Sequence, residues 1–386
     1  MGGFSLGGLG DSEMIRLGIT GQSGFVGEHL RAWAGTRPET FVCIPFEDSY
    51  FSDEARLRAF VRSCDAIVHL AAVNRASDPA VLRETNVRLV QQLVAAMEAE
   101  GVTPHVVFSS SIQESRGNPY GDSKREGREC LAAWAKRHGA RFSGCVIPNV
   151  FGPYGRPYYN SVVATFCHQL THGETPHIDA DGELPLIDVG VLCCRILEMI
   201  ERGQTGDCIL LEPMGKRRVS ELLKMFNGFK ETYVMQGIIP ALPTPLDVAL
   251  FNTFRGFCEL RTFFPFPLTA HADNRGVFVE IIRLAGCGGQ VSFSTTRPGI
   301  TRGNHYHTRK IERFAVIRGR ARIALRRVGH SETYTFELDG AAPAFVDMPV
   351  WFTHNITNIG TEDLYTVFWI NEPYHAADPD TYFEEV

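Results

Sequence analysis

The apolar residues of this chain change rhythm partway along, and that change predicts two architectures in series. From Ile15 to about Pro148, short apolar runs alternate with longer stretches of helical period. The short runs cover 15–20, 41–44, 66–71, 105–108 and 142–147; the longer ones cover 25–34, 80–99 and 123–138. Short strands alternating with helices predict a Rossmann-type, doubly wound parallel α/β sheet. Further helical runs follow at 161–172, 191–201 and 219–229. Beyond Leu268 the texture differs. Runs rich in Val, Phe, Ile and Thr at 277–283, 290–295, 313–317, 321–326, 334–338 and 365–370 are separated by Gly, Pro and Asp turns. Many short strands without helices predict an all-β barrel or sandwich. Pro240, Pro243, Pro245, Pro265 and Pro267 mark the change of texture. The expected layout is a flexible Gly-rich tail at 1–14, an α/β domain at 15–255, a Pro-rich linker at 256–267 and a barrel at 268–386. Each half carries its own apolar pattern, so the two are expected to work independently when separated within 240–268.

The chain has 386 residues, enough for two ordinary cores. Its net charge of -6 gives no basic footprint for nucleic acid. No apolar run reaches the roughly 18 residues of a membrane span, and the N-terminal stretch lacks the basic and apolar regions of a signal peptide. Ten cysteines are scattered with no CxxC pair. They read as free thiols of a reducing compartment, so the expected location is the cytoplasm.

The first candidate site begins with Gly18-Ile-Thr-Gly21-Gln-Ser-Gly24-Phe25-Val26-Gly27, which follows a predicted strand and opens a helix. Glycines there allow a tight turn and a close backbone approach to a pyrophosphate at the helix N-terminus. A ligand-free turn is the alternative. Further on, Tyr120 and Lys124 stand four residues apart, on one helical face. A free phenol has a pKa of about 10, and a neighbouring ammonium lowers it, so Tyr120 can exchange a proton with a carbonyl oxygen. Such a pair can also be a solvated helix face. Its place after a strand ending Ser109-Ser110-Ser111 argues against that. Ser111, furthest toward the loop, is the choice for holding the carbonyl, with Ser110 as the alternative.

With His69-Leu70-Ala71-Ala72, Asn86 and Pro148-Asn149-Val-Phe-Gly-Pro153, these residues make 15–255 resemble an extended short-chain dehydrogenase/reductase. The resemblance implies a nucleotide-sugar substrate and a nicotinamide coenzyme. It implies that Gly21, Gly24, Phe25, Val26, Gly27, Leu70, Ala71, Ala72, Asn86, Ser109, Tyr120, Lys124 and Pro148 surround the coenzyme, with Asn86 supporting the proton relay. Ser110, Ser111, Asn149 and Asn160 would face the sugar nucleotide. The second strand ends Cys43-Ile-Pro-Phe-Glu47-Asp48, which has neither the Asp usual with NAD nor the basic residue usual with NADP. NADPH is expected, with NADH as the alternative.

The second candidate site is Gly299-x5-His305-x-His307-x4-Glu312-x6-Gly319 and Pro349-Val-Trp351-Phe-Thr-His354-x3-Asn358. On a strand, His305 and His307 would share a face. Three imidazoles and a carboxylate suit Zn²⁺, Fe²⁺, Ni²⁺ or Mn²⁺; zinc is the expected metal. The pattern is similar to the cupin motifs, with Trp351 where glycine is usual. A second resemblance, through Asp273-Asn-Arg275-Gly-Val-Phe278-Val-Glu280 and Arg302-Gly-Asn-His305-Tyr306, is to the metal-free dTDP-4-keto-6-deoxysugar 3,5-epimerases. It implies that His305 is a base and that Arg275 and Arg302 hold the diphosphate. His305 therefore stands open between ligand and base. Lys310 is a candidate for stabilising an enolate; an exposed loop lysine is the alternative.

The order of the two parts resembles the bifunctional capsular-polysaccharide enzymes of the CapF type. Ser109-Ser-Ser-Ile-Gln113, Tyr159-Asn160-Ser-Val, Ala164-Thr-Phe-Cys167 and Pro379-Asp-Thr-Tyr-Phe-x-Glu-Val386 also match. That resemblance implies epimerisation at carbon 3 of a UDP-2-acetamido-2,6-dideoxy-4-ketohexose, then reduction at carbon 4 to the L-talose sugar, by a homodimer. The alternatives are a dTDP- or GDP-linked deoxysugar, or a non-catalytic dinucleotide sensor with a dimerising cupin.

Overall fold

The computed structural model describes residues 14–75, 77–274, 276–286 and 288–386. Residues 1–13 of the expected tail at 1–14, together with Arg275 and Cys287, lie outside the described residues. The chain forms two compact units: Met1–Asn149 with Val189–Pro213, and Val150–Asp188 with Met214–Val386.

In the first unit, β1 (Ile15–Thr20), α1 (Phe25–Gly35), β2 (Phe41–Ile44), α2 (Glu54–Arg62), β3 (Ala66–His69), α3 (Pro79–Glu100), β4 (His105–Ser111), α4 (Pro119–His138) and β5 (Phe142–Ile147) alternate as the sequence predicts. The parallel sheet has the order β2, β1, β3, β4, β5, then Gly206–Leu210. Side-chain caps start the helices: Asp53 accepts from Arg56 N–H, Asp78 from Ala80 N–H and Asn118 from Gly121 N–H. Pro79 and Pro119 sit in the first turns, where no backbone donor is needed. Left-handed Gly101 and Gly139 end α3 and α4. Phe60, Val90, Leu93, Leu131 and Trp134 form a core between α2, α3, α4 and the sheet.

In the second unit, two five-stranded antiparallel sheets form the barrel. One orders Phe266–Pro267, Ala344–Met348, Glu312–Arg318, Leu364–Ile370 and Gln290–Thr296. The other orders Thr333–Asp339, Arg320–Arg327, Phe352–Asn358, Thr301–Tyr306 and Tyr382–Phe383. The helices Val162–Thr171, Val219–Phe229 and Pro245–Arg255 belong to this same unit. The buried side chains of Phe166, Leu222, Phe226, Leu250 and Phe254 form one apolar cluster with Ile311 and Trp369 of the barrel.

The compact units therefore run across the expected boundaries. The proline-rich stretch is not a bare linker. Pro245 opens a helix that Thr244 and Asp247 cap reciprocally, and Leu260 and Phe264 are buried in the barrel core. Arg313 and Asp347 form a fully buried bidentate pair at 2.7 and 3.0 Å. Tyr233 donates to the same carboxylate at 2.8 Å, and Arg313 donates to the Gly237 carbonyl at 2.7 Å. A cut within 240–268 would take Tyr233 and Gly237 from that buried pair, which weighs against independent halves. No helix among the described residues is long and apolar enough to cross a membrane.

Candidate active sites

At the first site, Gly21 turns the chain with φ of 69°, and a Cβ there would meet the Ala71 nitrogen at 2.9 Å. A Cβ on Gly27 would lie 2.3 Å from the Gly21 carbonyl oxygen. Only glycines let this turn close against the Leu70–Ala72 segment. No side chain caps α1 at Gly24. A tight glycine turn leading to a helix N-terminus without a side-chain cap fits a pyrophosphate. Thr20 Oγ1 joins the two strand ends, 2.8 Å from His69 Nδ1 and 3.3 Å from the Ala71 nitrogen. Burial and the Lys124 charge hold His69 neutral, at about 3.

Lys124 is 4% exposed; its Nζ donates to the Ser109 carbonyl at 2.9 Å and lies 5.7 Å from the Tyr120 ring centre. Burial lowers its pKa to about 8. The three serines divide as strand alternation requires. Ser109 donates to the His69 carbonyl at 3.1 Å. Ser110 is buried and donates to Glu114, whose carboxylate takes two bonds from Arg128 at 2.9 and 2.8 Å. Ser111 is half-buried and accepts from Gln113 N–H at 3.2 Å, which leaves its own proton to donate. Asn86 accepts from Val73 N–H at 2.7 Å and donates to the Val73 carbonyl and Ser123 at 3.0 and 3.1 Å. It thereby braces the segment after β3 against α4. Phe25, Val26, Leu70, Ala71 and Ala72 are half-buried around the glycine turn, and Pro148 follows β5. Asn149 opens the strand Asn149–Phe151, and Asn160 is exposed with φ of 69°. Reading β2 alone overlooks Arg31 of α1, whose charge opposes the burial-driven rise of the Cys43 thiol pKa.

At the second site, one ligand atom from each of His305, His307, Glu312 and His354 lies within 4.8 Å of every other. Glu312 is the hub. Its Oε2 is 3.2 Å from His307 Nε2 and 3.1 Å from His354 Nε2. His354 Nε2 is buried, and no partner reaches it with hydrogen-bond geometry. A buried nitrogen lacking a hydrogen bond, beside a carboxylate and two imidazoles, fits a divalent metal. Burial alone would raise the Glu312 pKa; contact with His307 and His354 outweighs it and holds the carboxyl well below the usual range. Burial lowers His305 to about 4, and its ring is the most accessible of the four. The simple alternation expected for 305 and 307 is interrupted. Gly303 and Asn304 are left-handed, the register shifts between Gly303 and His305, and the strand ends at Tyr306. Trp351 is left-handed too, with φ of 62°, and its N–H donates to the His307 carbonyl at 2.8 Å.

Lys310 is not an exposed loop lysine. It is 2% exposed, and its Nζ donates to the Pro379 carbonyl at 2.7 Å. Arg302 is exposed and donates to the Thr295 carbonyl at 3.1 Å. Sequence reasoning gave no role to Asp380, whose carbonyl accepts from His307 Nδ1. Its only signal was the terminal Pro379-Asp-Thr-Tyr run.

Residues 17–207 match the NAD dependent epimerase/dehydratase family, and 271–382 match the polysaccharide biosynthesis C-terminal domain. The chain is 34% identical to a UDP-2-acetamido-2,6-beta-L-arabino-hexul-4-ose reductase of Pseudomonas aeruginosa, over 94% of this chain and 97% of that one. It is similar to the crystal structure of the capsular polysaccharide assembling protein CapF from Staphylococcus aureus, with a TM-score of 0.62 and 31% identity, covering 96% of this chain and all of that one. The structure of RMD from Pseudomonas aeruginosa, complexed with NADPH, shares the fold at a TM-score of 0.51 and 22% identity, over 56% of this chain.

Proposed function

Since the chain belongs to the family of the Pseudomonas hexulose reductase and staphylococcal CapF, we propose that it converts a UDP-2-acetamido-2,6-dideoxy-4-ketohexose in two steps. The barrel inverts carbon 3, and the α/β domain reduces carbon 4, giving UDP-2-acetamido-2,6-dideoxy-L-talose. The observation that carries this reading is the pairing of Tyr120 and Lys124, with Lys124 bonded to Ser109 of the Ser109–Ser111 strand end, in a chain alignable nearly end to end with that reductase.

The chemistry sets the order. A 4-keto group acidifies the proton on carbon 3; reduction removes the ketone, so inversion comes first. In the reductase, Ser111 donates to the ketone oxygen. Lys124, an ammonium below about pH 8, holds the Tyr120 phenol ready to give its proton to that oxygen. The bound coenzyme supplies the hydride, and Gly21, Gly24, Gly27 and Leu70–Ala72 hold it. NADPH is the proposed coenzyme, with Arg31 of α1, whose charge acts on Cys43 of β2, as the candidate basic partner. In the barrel, His305, His307, Glu312 and His354 hold one divalent metal, zinc in our reading. A metal there supplies Lewis acidity toward the ketone oxygen. In the same reading Arg302 meets the diphosphate and Lys310 favours an enolate. A homodimer is proposed as the working form.

Incubation with the keto-sugar and either NADPH or NADH tests the reading. Consumption of coenzyme with formation of the talose sugar supports it. No reduction of the ketone with either coenzyme would overturn it. Arg31→Ala is expected to raise the KM for NADPH and leave that for NADH unchanged.

A further inference from the structure

The C-terminal segment crosses the barrel at its metal-ligand cluster. Tyr382 and Phe383 pair with Tyr306 and His305. Thr353 donates to the Glu384 carbonyl, and Glu384 N–H donates to the Asn304 carbonyl at 3.0 Å. Residues beside three ligands are thus tied to the last residues of the chain.

Asp380 stands at the centre of this strap. It is 2% exposed and left-handed, with φ of 42°, a conformation that Asp and Asn tolerate better than most residues. Its carboxylate accepts four bonds: from Thr308 N–H at 3.0 Å, Thr308 Oγ1 at 2.6 Å, Arg309 N–H at 3.1 Å and Lys310 N–H at 3.1 Å. Three successive amides converging on one carboxylate make an anion nest whose anion is built into the chain. Its backbone carbonyl, in turn, accepts from His307 Nδ1.

We propose that Asp380 is a positioning residue for the barrel's metal ligands: its carbonyl fixes the proton of His307 on Nδ1, and its carboxylate locks the loop Thr308–Lys310 that spaces His307 from Glu312. The proposal rests on the metal reading above. A carbonyl can only accept, so the proton stays on Nδ1 and the Nε2 lone pair is the one available to a metal. Asp380 meets His307 through a backbone atom and the loop through a side chain. Side-chain substitutions therefore test the lock on the loop while the carbonyl that meets His307 stays in the chain.

The test uses the full chain, stripped of metal and titrated with Co²⁺ and Zn²⁺ against a chromophoric chelator. Asp380→Asn keeps the backbone conformation but presents amide protons where the nest needs an acceptor. We expect about 10- to 100-fold weaker metal binding, the range typical of lost outer-shell partners. The visible absorption of bound Co²⁺ should shift, while the melting temperature of the metal-free protein stays close to that of the unchanged chain. Thr308→Val removes one of the four bonds and should weaken binding less. Asp378→Asn, which alters an exposed partner of Arg309 on the same strap, should leave affinity and spectrum unchanged. Wild-type affinity and spectrum in Asp380→Asn would overturn the proposal. Should that variant not fold, the same result in Thr308→Val would overturn it. A chain that binds neither metal before any substitution refutes the metal reading itself, which is a different failure.

Discussion

The α/β site and the barrel site are built on opposite plans. In the first, the reactive groups come from one strand and the helix after it: Ser109, Ser110 and Ser111 end β4, and Tyr120 and Lys124 open α4. Turn geometry and one helical repeat place them. In the second, the ligands come from the end of Thr301–Tyr306, the loop after it, the start of Glu312–Arg318 and the strand Phe352–Asn358. A residue of the chain's last turn orients one of them. A local site survives changes elsewhere in the fold. A site assembled from distant strands depends on whatever holds those strands in register.

The largest expected effects are reciprocal losses. Tyr120→Phe should lower ketone reduction by about 10²- to 10⁴-fold, the range for loss of a general acid, and leave hydrogen exchange at carbon 3 untouched. Glu312→Gln should do the reverse, removing bound metal and exchange while coenzyme still binds. Parallel assays of coenzyme oxidation and exchange read both. If either variant lost both activities, the contrast between two separate sites would break.

Next in size is the buried pair of the second unit. Asp347→Ala leaves the Arg313 guanidinium and the Tyr233 hydroxyl without their buried partner. Loss of one member of such a pair costs about 3–5 kcal/mol. Denaturant unfolding followed by fluorescence should show that cost as a lower midpoint of the barrel's transition. An unchanged midpoint would mean that the pair adds nothing to the barrel's hold on its ligands.

The smallest effect sharpens the contrast through pH. Lys124 is an ammonium below about 8 and loses its charge above it. Reduction should fall about tenfold per unit at higher pH, as kcat/KM against pH would show. Exchange at carbon 3 should not share that limb. Folding stability moves the other way: the unfolded chain keeps the lysine proton to higher pH, so stability rises as pH climbs from about 8 toward the ordinary lysine value.

The same contrast explains what could be read in advance. The strands Ile15–Thr20, Phe41–Ile44 and Phe142–Ile147 lie where their apolar runs predict; the first and last are largely buried, and the edge strand Phe41–Ile44 buries Phe41. Three barrel strands, Thr301–Tyr306, Ala344–Met348 and Phe352–Asn358, carry no matching apolar alternation. They place His305 half-buried and Asp347 and His354 fully buried where hydrophobic residues would have signalled a strand. The run at 277–283 is strand only over Gly276–Val279, since its partner begins at Ala270, opposite Val279. The cluster of His305, His307, Glu312 and His354 was legible from motif spacing. Asp380 was not, because a backbone carbonyl leaves no mark on residue type and its partner His307 lies 73 positions away. The unit boundary was hidden for a related reason. Pro240, Pro243 and Pro245 punctuate the entry to a buried helix, and sequence texture reads them as the start of the Pro-rich stretch that holds the boundary.

The central claim is that one chain performs inversion and reduction at separate centres, in that order. Incubation with UDP-2-acetamido-2,6-dideoxy-4-ketohexose in deuterated water, with and without NADPH, followed by NMR, tests it most directly. Deuterium is expected at carbon 3 without coenzyme, and loss of the ketone only with it. Absence of deuterium at carbon 3 in the coenzyme-free sample, with reduction proceeding normally when NADPH is added, would contradict it.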